Sequence, residues 1–162
     1  MQLQKNPVVA YSEQLLASDS LGREVRVDFY VPAHWQSSVN PGMLLINDGQ
    51  DLVTMGFREI LQNLLDQNRI RPLVAVGIHC GPDRRNEYGV TASPDYLGRG
   101  ARAPQYRDFI FSELLPFIHQ YFSGKAFADR VFAGFSLGGL SALDLVWQNP
   151  TDWIYSQKYQ SD

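Results

Sequence analysis

The chain has 162 residues and a formal net charge of −3; 44% of its residues are hydrophobic and 19% are charged. Such a composition is typical of one soluble globular domain, predicted here over residues 1–162, and an acidic chain lacks the basic surface that binds nucleic acid. No apolar run reaches the roughly 20 residues of a membrane span, and the N-terminus lacks a signal-peptide core. We therefore expect a cytoplasmic protein without a membrane partner. The single cysteine cannot form an intrachain disulfide.

The first elements predicted along the chain are the two strands of an antiparallel hairpin. They lie at about residues 8–16 and 24–31 and are joined by a turn around Gly22. Apolar and polar residues alternate in the second strand, which is the pattern of a strand buried on one face. This alternation places Asp28 and Tyr30 on the polar face.

Three buried strands are predicted farther along the chain. Short apolar runs at 43–47, 73–78 and 130–135 are typical of parallel strands that are covered on both faces. We expect these strands to be parallel neighbours, with the last at the physical edge of the sheet. The second run is followed by a long loop that extends to about Pro104, and loops of that length in compact domains are usually functional or disordered.

Amphipathic helices are predicted between and after these strands. Apolar residues recur at helical spacing at about 55–68 and 106–121, with a kink expected at Pro116. A third helix runs from Leu137 to about 148 and is closed by Asn149. The predicted fold class is therefore α/β: an N-terminal antiparallel hairpin leads into a mostly parallel sheet with helices on both faces.

The motif that carries chemistry is G-x-S-x-G at residues 134–138, centred on Ser136. Between a predicted strand and a predicted helix, this motif forms a sharp turn that lifts the serine Oγ above the carboxyl edge of the sheet. The N-terminus of the following helix favours negative charge developing there. We predict that Ser136 is a nucleophile with backbone angles in a sparsely populated region. The alternative is a glycine-rich turn needed only for packing.

A serine nucleophile also needs an oxyanion hole and a base. The N–H of Leu137 is the first predicted oxyanion donor, and the loop after the 43–47 strand supplies the second. Gly49 and Gln50 are the candidate residues of this loop, and either Gln50 or Asp51 could be the donor. In this loop Gly49 is expected to let the backbone approach a substrate closely. The other interpretation of the loop is an ordinary Asp-Gly turn.

The sequence ends without a histidine after Ser136, although this type of site uses the chain order Ser, acid, His. His34, His79 and His119 all precede the serine. Only His79 follows a predicted strand at its carboxyl end, so it is the weak alternative base; it is otherwise a polar residue that opens a loop. We find no metal-ligand cluster and no nucleotide-binding loop, and therefore predict no metal and no cofactor.

With these residues in view, the chain resembles the esterase family that includes enterochelin esterases, feruloyl esterases, S-formylglutathione hydrolases and the antigen 85 mycolyltransferases. The resemblance covers residues 8–150 and rests on the segments Leu44–Asp51, Val76–Ile78, Arg85–Tyr88, Tyr106–Tyr121 and Arg130–Leu143. It implies an α/β-hydrolase fold, no cofactor, and transfer of an acyl group from a small-molecule ester or thioester through an acyl-serine.

The resemblance also implies that the fold is incomplete here. Members of the family continue with further strands, the acid and the histidine, whereas residues 151–162 do not resemble their next strand. We therefore expect a C-terminally truncated serine carboxylic-ester hydrolase that is inactive or very weak as it stands. An acyltransferase that uses the same serine and a non-catalytic α/β-hydrolase-like module are the alternatives.

The strand at 130–135 is also expected to affect association. Its apolar residues would lie at an uncovered sheet edge, and such edges pair with other chains. The nearby helices would keep apolar surface exposed as well. We therefore predict a homo-oligomer, of which a two-fold dimer is the simplest form.

Overall fold

A mixed five-stranded sheet forms the centre of the computed structural model, which describes residues 9–33, 35–37 and 41–153. The strands are β1 (Ala10–Ser18), β2 (Arg23–Val31), β3 (Gly42–Asn47), β4 (Leu73–Ile78) and β5 (Arg130–Ala133). Their order is β1-β2-β4-β3-β5; β1 to β2 and β2 to β4 are antiparallel, and β3 is parallel to both β4 and β5. The predicted hairpin and the predicted parallel neighbours are confirmed, and within the described residues β5 lies at the edge.

Helices cover both faces of this sheet, as predicted. They are α1 (Phe57–Asp66), α2 (Arg84–Glu87), α3 (Ala103–Asp108), α4 (Leu115–Tyr121), α5 (Leu137–Gln148) and α6 (Pro150–Trp153). On one face Leu61 of α1 packs with Ile46 and Ala75 of the sheet. On the other face α3, α4 and α5 cover the opposite sides of β2, β3 and β4. The result is the incomplete α/β-hydrolase fold that the strand–helix alternation and the resemblance predicted.

The predicted helix at 106–121 is a continuous helical segment with a wider middle. A π-helical stretch, Phe109–Leu114, joins α3 to α4. Pro116 lies in the first turn of α4, directly after these π-helical turns. A proline inside a helix lacks the N–H of one backbone hydrogen bond, and here the ladder is already widened just before it, so the segment continues past the proline.

One sequence expectation about β2 is wrong. Asp28 and Tyr30 fall on the polar side of the alternating pattern, yet both are buried. Val9 and Phe57 pack on this side of the sheet, and the Phe57 ring meets that of Tyr30 edge-on at 5.1 Å. The second face of β2 is therefore covered by tertiary contacts that the strand's own sequence does not encode.

The predicted exposed edge is present in the structure. Val131 of β5 is 52% exposed, and α5 carries Leu143 and Trp147 at 63% and 81% exposure. Trp153 of α6 is buried instead, with its ring stacked on that of Phe132 at 5.4 Å. No helix in the described part of the chain has the length and apolar character of a membrane span.

Candidate active site

Ser136 lies in the turn between β5 and α5, with φ 51° and ψ −122°. L-residues rarely adopt this conformation, so the predicted backbone strain is confirmed. The Ser136 carbonyl accepts hydrogen bonds from the N–H groups of Gly139 and Leu140, at 3.0 and 3.1 Å. These bonds begin α5, and the serine is solvent-exposed at the head of that helix.

The glycines of the motif are required by close backbone contacts. A Cβ atom at Gly134 would lie 2.4 Å from the carbonyl carbon of Gly138. A Cβ atom at Gly138 would lie 2.7 Å from Oδ2 of Asp48, in the loop after β3. The same glycines that permit the turn therefore also let that loop rest against it.

The N-terminus of α5 supplies the first predicted oxyanion donor. The N–H groups of Gly138 and Gly139 both donate to the Phe135 carbonyl, at 2.9 and 3.3 Å. Leu137, the first residue of the helix, has no carbonyl one turn earlier within the helix to receive its N–H. The positive end of the helix dipole lies at the same place.

The loop after β3 is held in a strained conformation at Asp48. This residue has φ 61° and ψ 45°, and a short 3₁₀ turn over Gly49–Asp51 follows it. A Cβ atom at Gly49 would lie 2.5 Å from the backbone carbonyl carbon of Gly77. Contact with β4 therefore already requires glycine at position 49, a reason that the sequence analysis did not find.

The side chain of Gln50 holds the loop. Its Oε1 accepts the N–H of Cys80 at 3.2 Å, and its Nε2 donates to Oδ1 of Asp48 at 3.3 Å. The Asp51 N–H donates to the Asp48 carbonyl at 3.0 Å, so the candidates for a backbone oxyanion donor from this turn are the N–H groups of Gly49 and Gln50.

A bidentate ion pair fixes the same loop. Arg84 of α2 donates from Nε and one terminal nitrogen to the two carboxylate oxygens of Asp48, at 2.6 and 2.7 Å. Burial acts to raise the pKa of Asp48, but hydrogen bonds from Arg84 and Gln50 outweigh it and lower the pKa below its ordinary value. The Asp48 N–H also donates to the Tyr88 hydroxyl, at 3.3 Å. This role of Arg84 is not visible in the local sequence around it.

Asn47 joins three elements under the site. Its Nδ2 donates to the Gly138 carbonyl at 2.8 Å, and its Oδ1 accepts the Tyr106 hydroxyl proton. Burial raises the pKa of Tyr106 well above its ordinary value, so this hydroxyl remains a neutral donor. The end of β3, α3 and the head of α5 are thereby connected. A polar Asn-Asp pair that ends an apolar buried strand is the sequence signal that could have identified this network.

His79 is not brought to Ser136. Its Nε2 lies 2.7 Å from Oδ2 of Asp28, and the Nε of Arg26 donates to Oδ1 of the same carboxylate at 3.0 Å. β3 separates the strand that precedes His79 from β5, a lateral distance of about 10 Å at ordinary strand spacing. His119 is an exposed residue of α4, and His34 lies outside the described residues. No hydrogen bond joins Ser136 to a histidine in the part of the chain that the structure describes.

Comparison with known proteins gives one family and a set of similar folds. The family model described as "Putative esterase" matches residues 18–157, so the match extends beyond the limit of 150 that the sequence analysis expected. Curated proteins give no match.

Solved structures give long matches to this chain. Enterochelin esterase from Shigella flexneri is 23% identical, with a TM-score of 0.71 over 91% of this chain and 35% of its own. An IroE-like serine hydrolase from Shewanella oneidensis is 25% identical, with a TM-score of 0.71 over 86% of this chain and 47% of its own. The siderophore hydrolase EstB from Aspergillus nidulans is 19% identical, with a TM-score of 0.70 over 91% and 57%. The chain thus spans between about a third and just over half of the length of these proteins.

Proposed function

The chain belongs to this esterase family, and from that premise we propose that Ser136 is the nucleophile of a serine carboxylic-ester hydrolase that acts on a small-molecule ester or thioester. The observation that carries the proposal is the backbone of Ser136, held at φ 51° and ψ −122° between β5 and α5. Such a strained conformation is not expected of an ordinary surface serine, but it is expected of a nucleophile that a tight turn holds exposed.

In the proposed reaction the Ser136 Oγ attacks the ester carbonyl and gives up its proton to a base. The oxygen of the tetrahedral intermediate becomes an anion, which the N–H of Leu137 and a backbone N–H of Gly49 or Gln50 stabilise. Removing one such donor from an enzyme typically costs about 10²–10³ in rate. Collapse of the intermediate releases the alcohol or thiol and leaves an acyl-serine, which water then hydrolyses.

The group that would accept the proton of Ser136 is the least supported part of the proposed mechanism. Within the described residues no hydrogen bond joins a histidine to Ser136, and the His79 ring is hydrogen-bonded to Asp28. The lost contribution is large, because an enzyme without a triad member retains only about 10³–10⁴-fold acceleration over water. We therefore propose that this chain is inactive or very weak as an esterase.

Labelling and turnover test the two halves of the proposal separately. We expect slow covalent labelling by a small fluorophosphonate, lost in Ser136→Ala, and hydrolysis of p-nitrophenyl acetate close to background. The exposed Ser112 provides a control, since Ser112→Ala should leave labelling unchanged. Efficient turnover that Ser136→Ala abolishes would contradict the missing base, and His79→Ala would then identify whether that residue replaces it. Labelling that persists in Ser136→Ala would contradict the nucleophile.

We further propose that the chain forms a homodimer through the apolar edge, defined here as Val131, Leu143 and Trp147. These side chains are exposed on β5 and α5, next to backbone groups that have no strand beside them in the described sheet. Two-fold closure is the commonest way to cover such a surface.

A further inference from the structure

A cavity of about 270 Å³ opens beside the turn that carries Ser136. Leu137 and Leu140 of α5 form one wall, and Val90, Pro94 and Arg99 of the loop after β4 form the other. Leu137 is the residue directly after the serine. The cavity therefore adjoins the turn that would present a group attached to Ser136.

Contacts far from the serine fix the shape of this cavity. The N–H and Oγ1 of Thr91 both donate to Oδ2 of Asp144 in α5, each at 2.9 Å. At Gly89 the chain passes so close to Gly100 that a Cβ atom would lie 2.8 Å from the Gly100 Cα. The loop wall is thus tied to α5 and to its own far end, so the cavity exists before a ligand arrives.

The walls of the cavity are mostly apolar, and the two charged side chains at its rim are paired with each other. Asp95 and Arg99 form an ion pair at 2.6 Å, and the Asp95 carboxylate also accepts the N–H groups of Leu97 and Arg99, each at 2.9 Å. Because the two rim charges are paired with one another, they offer little attraction to a charged ligand. The largest side chains of the remaining lining are those of Val90, Leu137 and Leu140, and they favour an uncharged apolar group.

We propose that this cavity holds one arm of the ester substrate, and that this arm is a compact uncharged apolar group of one or two six-membered rings. The proposal rests on the assignment of Ser136 as the nucleophile of an ester hydrolase. A cavity of about 150 Å³ holds one benzene ring, and sites for drug-sized ligands are usually about 300–1,000 Å³, so the volume here suits a group between these two sizes. The arm is either the acyl side or the leaving-group side of the ester.

Binding of amides that cannot be turned over tests the cavity without requiring catalysis. We would titrate the ¹⁵N-labelled chain with benzamide, whose ring is on the acyl side, and with acetanilide, whose ring is on the nitrogen side. Saturable shifts of the backbone amides of Val90 and Leu140 are expected for at least one of them, and the preferred amide identifies the side. Decanamide at equal concentration should give no saturable shift at these residues.

Blocking variants supply the control. Leu140→Trp and, on the opposite wall, Ser93→Trp should each weaken binding at least tenfold. Ile60→Trp, at an exposed position of α1 on the other face of the sheet, should leave binding unchanged. Binding that both blocking variants leave intact, or an absence of saturable shifts, would overturn the proposal.

Ser136→Ala separates this inference from the proposed function. The variant should still bind the preferred amide, because the cavity is lined by its neighbours. Retained binding together with fluorophosphonate labelling that does not depend on Ser136 would support the cavity and refute the nucleophile. Loss of binding in Ser136→Ala would overturn the cavity as the site of the substrate arm.

Discussion

Single residues around Ser136 are held in conformations that their side chains disfavour. Ser136 and Asp48 both have positive φ, at 51° and 61°, and neither is glycine. Such conformations cost about 1–3 kcal/mol each and persist only where neighbouring contacts determine them. Here those contacts are the hydrogen bonds that begin α5 and the Arg84 ion pair. The strain at Ser136 is in the position expected of a reactive group that the fold keeps exposed.

Replacing Ser136 by glycine should therefore stabilise the chain relative to alanine. Glycine adopts a positive φ without strain, so Ser136→Gly removes the strain energy of the folded chain. Part of this stabilisation, about 0.5–1 kcal/mol, is lost because glycine has a larger backbone entropy in the unfolded chain. In urea titrations we expect the free energy of unfolding of Ser136→Gly to be about 1 kcal/mol higher than that of Ser136→Ala. Both variants should lose covalent labelling.

The matched pair at Ser112, an exposed helical position, should give the opposite sign. There Gly should be about 1 kcal/mol less stable than Ala, because glycine is a poor helix former. The same sign at both positions would mean that the backbone of Ser136 is not strained in the folded chain.

The ion pair between Arg84 and Asp48 is the second residue-scale feature with a measurable consequence. Arg84→Ala leaves a carboxylate that is almost fully buried without its main partner, and we expect a loss of about 3 kcal/mol in the free energy of unfolding. The neighbouring Arg85→Ala, at an exposed position, should change it by less than about 0.5 kcal/mol. Equal effects of the two variants would contradict the role given to the pair.

The pH dependence of that difference has a definite sign. The folded pKa of Asp48 lies below its ordinary value of about 3.9. The stability from the pair is therefore fully present above about pH 5 and is lost as the pH falls through the lowered pKa. Urea titrations from pH 7 to pH 3 should show a difference between wild type and Arg84→Ala that is largest at pH 7 and shrinks as the pH falls, because burial then favours protonation of the unpaired carboxyl in the variant. A difference that grows in acid would contradict the lowered pKa.

At the scale of elements, α5 has two different faces. Its buried side, which includes Ala142 and Leu145, packs against the sheet, while Leu143 and Trp147 point to solvent together with Val131 of β5. A helix of a closed domain normally presents polar residues on its outer side. Among the described residues, the apolar edge is therefore the surface that we propose to be covered by a second copy of the chain.

We expect the wild-type chain to sediment as a dimer at micromolar concentration. Val131→Lys and Trp147→Glu, separately and together, should shift it to monomer, because a charge at an edge strand or in an apolar patch opposes association. Ile60→Glu is the control, since it changes an exposed apolar residue of α1 on the other face of the sheet. A wild-type monomer would contradict the proposed interface. So would a dimer that Val131→Lys, Trp147→Glu and the double variant all leave intact.

At the scale of the whole molecule, the site is assembled by contacts between distant parts of the chain. Asn47 links the end of β3 to the Gly138 carbonyl and to Tyr106, and Arg84 links the loop after β4 to Asp48. Asp144 of α5 accepts the N–H of Thr91, which lies in the loop after β4. These bonds place two candidate oxyanion segments beside each other and leave His79 with Asp28.

The sequence by itself determined the order and type of the main elements, the position of Ser136 between a strand and a helix, and the two backbone segments proposed as oxyanion donors. Periodicity of apolar residues and glycine spacing are local properties, so they can be read along the chain. The tertiary structure alone decided that Asp28 and Tyr30 are buried, that Gly49 is needed by β4, that Arg84 holds Asp48, and that His79 lies away from the serine. Each of these depends on which strands become neighbours, and strand order is a long-range property that no local pattern encodes.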